Sequence, residues 1–290
     1  MDAVEVTLPR GVFAEGQWHR TAWLRPLSGR DEAFLGEEGR VLPPALRTTA
    51  LLSRCVQRLG PRSHVTPESV RALTIGDREA LLLSLRRITL GDTLSCVLVC
   101  ANEPCREKMD LDLAVRELLL APYPHAQERY EMTIADNGTT YRVRFRLPTG
   151  ADQEAAVSVV LDDPADAAAL LLQRCVERVA VENGGERPAI ALPSSVARVL
   201  AQAMADLDPQ AELLLNLTCP SCGTPSSVTF DAADYFFREL SGRQQHLYRE
   251  VHLLAFHYHW SEAEIMAMTG AKRRLYLGLL SEALNGARRQ

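Results

Sequence analysis

The sequence predicts an α+β protein made of two tandem repeats followed by a helical tail, and three observations carry that expectation. Four blocks of sequence recur in the same order at nearly constant spacing. Each run opens on a β-hairpin signal and passes into helical periodicity. The last stretch, from residue 244 onward, stands outside the recurrence and reads as helix.

The blocks are specific. RPLSGRDEAFL (Arg25 to Leu35) reads against RLPTGADQEAAV (Arg146 to Val157), with Gly29 on Gly150. LLSRCVQRLG (Leu51 to Gly60) reads against LLLQRCVERVA (Leu170 to Ala180), with Cys55 on Cys175. LSCVLVCANEPC (Leu94 to Cys105) reads against LLLNLTCPSCG (Leu213 to Gly223), with Cys100 on Cys219. MDLDLAVRELL, from Met109, reads against VTFDAADYFFREL, from Val228. The offsets are 121, 120, 119 and 119 (150−29, 175−55, 219−100, 228−109). The repeats then span residues 1–121 and 125–240, each of ordinary domain size. APYPHAQ, with two prolines that cannot continue a helix, is the expected joint, and residues 244–290 form the C-terminal helical segment.

Within each repeat the elements follow one plan. The hairpin is VTLPRG…WHRTAWLRPL in the first and YEMTIADNGTTYRVRFRL in the second, where Asn137-Gly138 supplies the positive φ angles of a tight turn. A polar turn at Ser28-Gly29 or Thr149-Gly150 leads into helix, and a further helix carries Cys55 or Cys175 on its apolar face. Asp162-Asp163-Pro164 marks a helix start, with proline at the first helical position. The next helices are expected over 77–88, with Asp77 as N-cap, and over 194–206. A strand then enters each cysteine turn, a second leaves it, and a helix closes the repeat. In the tail, Leu247, Val251, Leu254 and Tyr258 follow helical spacing. The helix breaks near Trp260, Ser261 and Glu264 form a capping box, and a third helix from Ala271 carries Leu275, Leu279 and Leu280.

The net charge of −5 gives no overall attraction to nucleic acid or anionic membrane. No run of about 18 apolar residues is present, and the N-terminus lacks the basic and apolar regions of an export signal. Reduced thiols in the cytoplasm follow, so paired cysteines point to metal before disulfide. The P-loop, the G-x-S-x-G elbow and the G-x-G-x-x-G fingerprint are all missing. No catalytic residues, no enzyme activity and no small-molecule substrate are expected.

Cys219-Pro-Ser-Cys222-Gly223 is a zinc knuckle by sequence, and Cys100-Ala-Asn-Glu-Pro-Cys105 is a looser version of it. A closed structural zinc site takes four ligands, and each turn offers two. The economical arrangement is one zinc per chain held by Cys100, Cys105, Cys219 and Cys222, clamping the repeats together in a zinc-ribbon-like site. A redox disulfide would call for a thioredoxin-like βαβ context, which is absent. Cys55 and Cys175 read as buried small hydrophobes and Cys96 as a spectator. His252, His257 and His259 lack the i, i+4 spacing of a zinc-binding helix.

The stretch LYREVHLLAFHYHWSEAEIMAMTGAKRRLYLGLL resembles the C-terminal signature of the T-even-type phage baseplate protein family. Glu250, His252, His257, Tyr258, His259, Trp260, Glu264-Ile265 and the run from Arg273 to Leu277 carry the likeness, and an upstream pattern through Ser28–Asp31 and Gly76–Arg86 extends it. The family includes hub-assembly proteins of contractile tails, with relatives in phage-tail-like contractile injection systems. The resemblance implies a non-enzymatic assembly chaperone or structural part acting by protein–protein interaction. Its partners would be baseplate, hub or spike proteins, contacted through His257, His259, Trp260, Arg273, Arg274 and Tyr276. The second reading is a zinc-ribbon regulator binding nucleic acid through the C-terminal helices and the Lys272-Arg273-Arg274 patch.

Overall fold

The two hairpins form where alternating apolar residues flank a turn that tolerates positive φ. In the computed structural model, which describes residues 3–160, 164–182, 185–188 and 192–287, β1 (Val4–Ala14) and β2 (Gln17–Leu24) pair antiparallel around Glu15 and Gly16, at φ 53° and 75°. Helices α1 (Gly29–Gly36) and α2 (Pro44–Cys55) follow, and β3 (Val56–Leu59) returns to pair with β2. A short α3 (Pro67–Arg71) precedes the long α4 (Ile75–Leu90), which packs on the hairpin. Helix α4 starts earlier than the spacing predicts: Thr74 is its N-cap, and Asp77 turns inward to accept the backbone N–H groups of Arg10 and Gly11. A buried carboxylate that stitches a helix to a strand bulge displaces the expected capping role.

After β4 (Thr93–Val99), β5 (Lys108–Ala114) and the one-turn α5 (Val115–Leu118), the chain crosses to β6 (Tyr130–Asp136) and β7 (Thr139–Phe145). These turn at Asn137 and Gly138 with φ 49° and 77°, as a two-residue hairpin of that composition should. Then come α6 (Gly150–Val160), α7 (Pro164–Cys175), β8 (Val176–Val181), β9 (Gly185–Arg187) and α8 (Ser194–Leu207). Helix α7 does start at Pro164; Asp162 and Asp163 lie outside the described residues. The chain ends with β10 (Leu213–Thr218), β11 (Pro225–Phe230), α9 (Ala232–Tyr258), α10 (Glu262–Met266) and α11 (Gly270–Ala287).

Each half has its own sheet, β1-β2-β3 in one and β6-β7-β8-β9 in the other, and its own core. Corresponding bonds recur. Arg25 N–H donates to Cys55 C=O and Arg146 N–H to Cys175 C=O, both at 3.0 Å. Asp31 receives Arg25 and Arg54, and Asp152 receives Arg146 and Arg174. Cys55 and Cys175 are fully buried.

The joint at 121–127 is stapled to both halves: Tyr123 N–H bonds Pro9 C=O at 2.7 Å, its hydroxyl donates to Asp208 at 2.8 Å, and Arg10 reaches Gln127 C=O at 2.6 Å. The boundary at 240–244 falls inside α9, which runs unbroken through it. Its first half buries Phe236, Phe237 and Leu240 in the N-terminal core, while Leu247, Val251 and Leu254 form a separate core with α10 and α11.

Candidate metal centre

Two hairpins, β4-β5 and β10-β11, project side by side from a shared apolar base of Leu94, Leu113, Leu215 and Phe230. Their turns carry the four cysteines. In the first, Cys100 N–H donates to Glu107 C=O at 2.8 Å and Cys105 N–H to Asn102 C=O at 2.9 Å, with Arg106 at φ 47°. In the second, Gly223 N–H donates to Cys219 C=O at 2.9 Å, and its φ of 71° is one that glycine adopts without a Cβ clash.

The turns face each other. Cys100 Sγ lies 3.6 Å from Cys222 Sγ, and Cys105 Sγ lies 3.8 Å from Cys219 Sγ. All four sulfurs fall within 4.8 Å of one another. A tetrahedron with metal–sulfur bonds of about 2.3 Å has edges of about 3.8 Å, so the four can hold one ion. Cys100 and Cys219 are buried, Cys105 is half-buried and Cys222 is exposed. The Thr224 hydroxyl and N–H stabilise the Cys222 thiolate and draw its pKa down to about 6. The Asn102 N–H favours the Cys100 thiolate too, but desolvation and the neighbouring sulfurs outweigh it and push that thiol up to about 12. Four thiolates at this spacing repel one another, and a divalent cation offsets that repulsion. Cys96 stands outside the cluster.

The six C-terminal residues singled out in the sequence divide by exposure. Arg273 is buried, ion-paired at 2.7 Å with both Glu32 and Glu250. Trp260 stacks on Tyr258 with centroids 4.7 Å apart and meets Tyr276 edge-on at 4.8 Å, all three half-buried. His257 is half-buried against Phe256, and His259 is the exposed left-handed C-cap of α9. Arg274 is exposed. The large apolar residues most open to solvent there are Phe256 (66%) and Leu275 (62%), with Tyr248, Leu253, Leu279 and Leu284 also exposed.

A further recurrence escaped the sequence reading. Thr66…Ser69 and Ser261…Glu264 are both capping boxes, and Thr74 with Arg78 and Thr269 with Arg273 follow at the same distance, all offset by 195 (261−66, 269−74, 273−78). Thr74 forms an isolated β-bridge with Thr149, and Thr269 forms one with Ser28. Buried Arg78 closes over Gly150 and buried Arg273 over Gly29. The shared Thr and Arg spacing was the available signal.

Among the described residues no helix is long and apolar enough to cross a membrane. No curated protein and no solved structure matches the chain. Residues 48–238 match the family model described as T4 bacteriophage base plate protein. That stretch is 191 of 290 residues (238−48+1) and includes all four cysteines; the HYHW segment lies beyond it. The chain therefore belongs to the T4 bacteriophage base plate protein family.

Proposed function

We propose that this chain is a zinc-stabilised, non-enzymatic component of a contractile tail or phage-tail-like injection system, assembled in the cytoplasm and retained in the particle. The convergence of two cysteine pairs, more than a hundred residues apart, at tetrahedral spacing carries this reading. Such a clamp suits a permanent part bearing mechanical load, since structural zinc contributes folding free energy directly. The recurring bonds of the two halves support reading residues 1–121 and 125–240 as duplicated units, joined by the metal.

The C-terminal helices are the docking element for baseplate, hub or spike proteins. Their solvent face offers Phe256, Leu275, His259 and Arg274. Trp260, Tyr276 and Arg273 hold that face in place from within. Phe256→Asp with Leu275→Asp changes two exposed positions, so the fold should persist while incorporation into particles falls at least tenfold. Particles purified from cells expressing the whole gene cluster, probed for this chain by mass spectrometry, provide the measurement. Normal incorporation of the folded double variant rejects docking through these helices. Complete particles that lack the wild-type chain reject the permanent role.

A further inference from the structure

A large open groove lies away from both the cysteines and the C-terminal helices. It encloses about 700 Å³ between the N-terminal end of α2, the first turns of α4, helices α6 and α7, and the end of β11. Leu42, Ile75, Ala156, Leu171 and Phe230 line it, and Val41 stands at its lip, 84% exposed. An apolar valine this exposed at the mouth of an apolar channel is a position that gains from being covered.

The charged groups of the groove, among the described residues, are all of one sign. Glu79 and Asp231 are its charged residues, and no lysine, arginine or histidine lines it among the described residues. Asp231 uses one oxygen to cap α9, accepting Asp234 N–H at 2.8 Å. Glu79 lies near the Ala232 N–H and has no ion pair among the described residues. Arg78, whose charge acts on Glu79, spends its guanidinium hydrogen bonds on Thr49 Oγ1 and Ala45 C=O. Glu79, set among apolar walls beside the exposed Asp231 carboxylate and without an ion pair among the described residues, is unfavourably placed for a charge, and a cation delivered between the two carboxyl groups relieves it.

We propose that this groove is a second docking surface, which takes a segment of a partner protein carrying one lysine or arginine between large apolar side chains. The apolar walls select the flanking side chains, and Glu79 and Asp231 select the cation. Membership of a particle-building family gives such a surface a use, because a component held within an assembly touches neighbours on more than one side. The inference rests on the groove itself and is independent of the metal and of the C-terminal helices.

The chemistry has a signature. Burial, and then the charge of Asp231, push Glu79 up to about 8. Arg78 from the same helix and Asp208 from the turn after α8 act on it in opposite directions, whereas Thr48 and Gln153 on the facing walls do not titrate. Free Glu79 is therefore mostly protonated at pH 7, and an arriving cation expels that proton. Affinity should rise severalfold between pH 6 and pH 8.

Selection of random twelve-residue peptides on the immobilised full-length chain tests this. The selected peptides should carry one lysine or arginine flanked by large apolar residues. Ala156→Trp, which fills the groove, should weaken them at least tenfold, and Val41→Lys, a change at an exposed site that cannot disturb the core, severalfold. Calorimetry in buffers of different ionisation enthalpy should show proton release at pH 7 that Glu79→Gln abolishes. Selected peptides without a cation, affinity unchanged in Val41→Lys and in folded Ala156→Trp, or proton release that survives Glu79→Gln would each overturn the proposal.

Discussion

Single carboxylates show how the same side chain is driven in opposite directions by its surroundings. Burial alone would raise Asp31 and Asp152, but the arginines and the capped turns that they bond outweigh it and hold both below the usual carboxylate range. Asp77 is also buried, yet it receives backbone N–H groups and faces Asp208 rather than a paired guanidinium, so burial wins and lifts it to about 6. The consequences for stability have opposite signs. A depressed group adds stability above its unfolded pKa of about 4, which is lost as pH falls through the folded value; Asp77 instead withdraws stability as pH rises from about 4 to 6. Asp152→Asn should therefore cost about 3 kcal/mol at pH 7, the low end for breaking a buried pair because its arginines are partly exposed. Asp77→Asn should cost little at pH 7 and flatten the stability profile between pH 4 and 6. Urea unfolding from pH 4 to pH 7 reads both, and a steep profile in Asp77→Asn would exclude this account.

At the scale of elements, what could be read from the sequence was what is local. The Asn137-Gly138 turn, the Ser261–Glu264 capping box and the two cysteine turns each depend on neighbouring residues, and each is where the spacing places it. The start of α4 and the continuity of α9 depend on contacts from distant segments, which periodicity does not carry. The same holds for the two bridged turns. Ser28-Gly29 and Thr149-Gly150 read as turns, but nothing beside them names Thr269 and Thr74 as partners. Gly150 has no room for a Cβ because the Arg78 guanidinium fills the space, fixed by Thr49 and Ala45. Gly29 is looser, with Arg273 Nη1 3.0 Å from where a Cβ would stand. Gly150→Ala should destabilise by about 3 kcal/mol and Gly29→Ala by about 1, the two ends of the range for overpacking. Hydrogen exchange should locate the difference: faster exchange across α4 and α6 for Gly150→Ala, confined to α10 and α11 for Gly29→Ala. Equal, global effects would mean that the two junctions are not separate locks.

For the whole molecule, the main question is what keeps two halves with separate cores acting as one body. The cysteine cluster is legible in the sequence as four candidate ligands, and the value of the proposed metal clip lies in the length of chain that it would close. Cys100 meets Cys222 across 122 positions and Cys105 meets Cys219 across 114. Cross-linking a loop of about 100 residues removes enough unfolded-state entropy to stabilise a fold by about 5 kcal/mol, and a metal clip acts on the same entropy. One zinc per chain is expected by elemental analysis, lost in Cys100→Ser and in Cys219→Ser. Chelation should lower stability by roughly that 5 kcal/mol and split one cooperative transition into two, because the contacts left between the halves (the apolar base of Leu94, Leu113, Leu215 and Phe230, the Arg71–Glu154 ion pair, the stapled joint and the bridged turns) then act without the clip. A count of zero or two zinc ions would exclude the shared site. One zinc whose removal leaves a single unshifted transition would mean that packing between the halves, and not the metal, makes them one body.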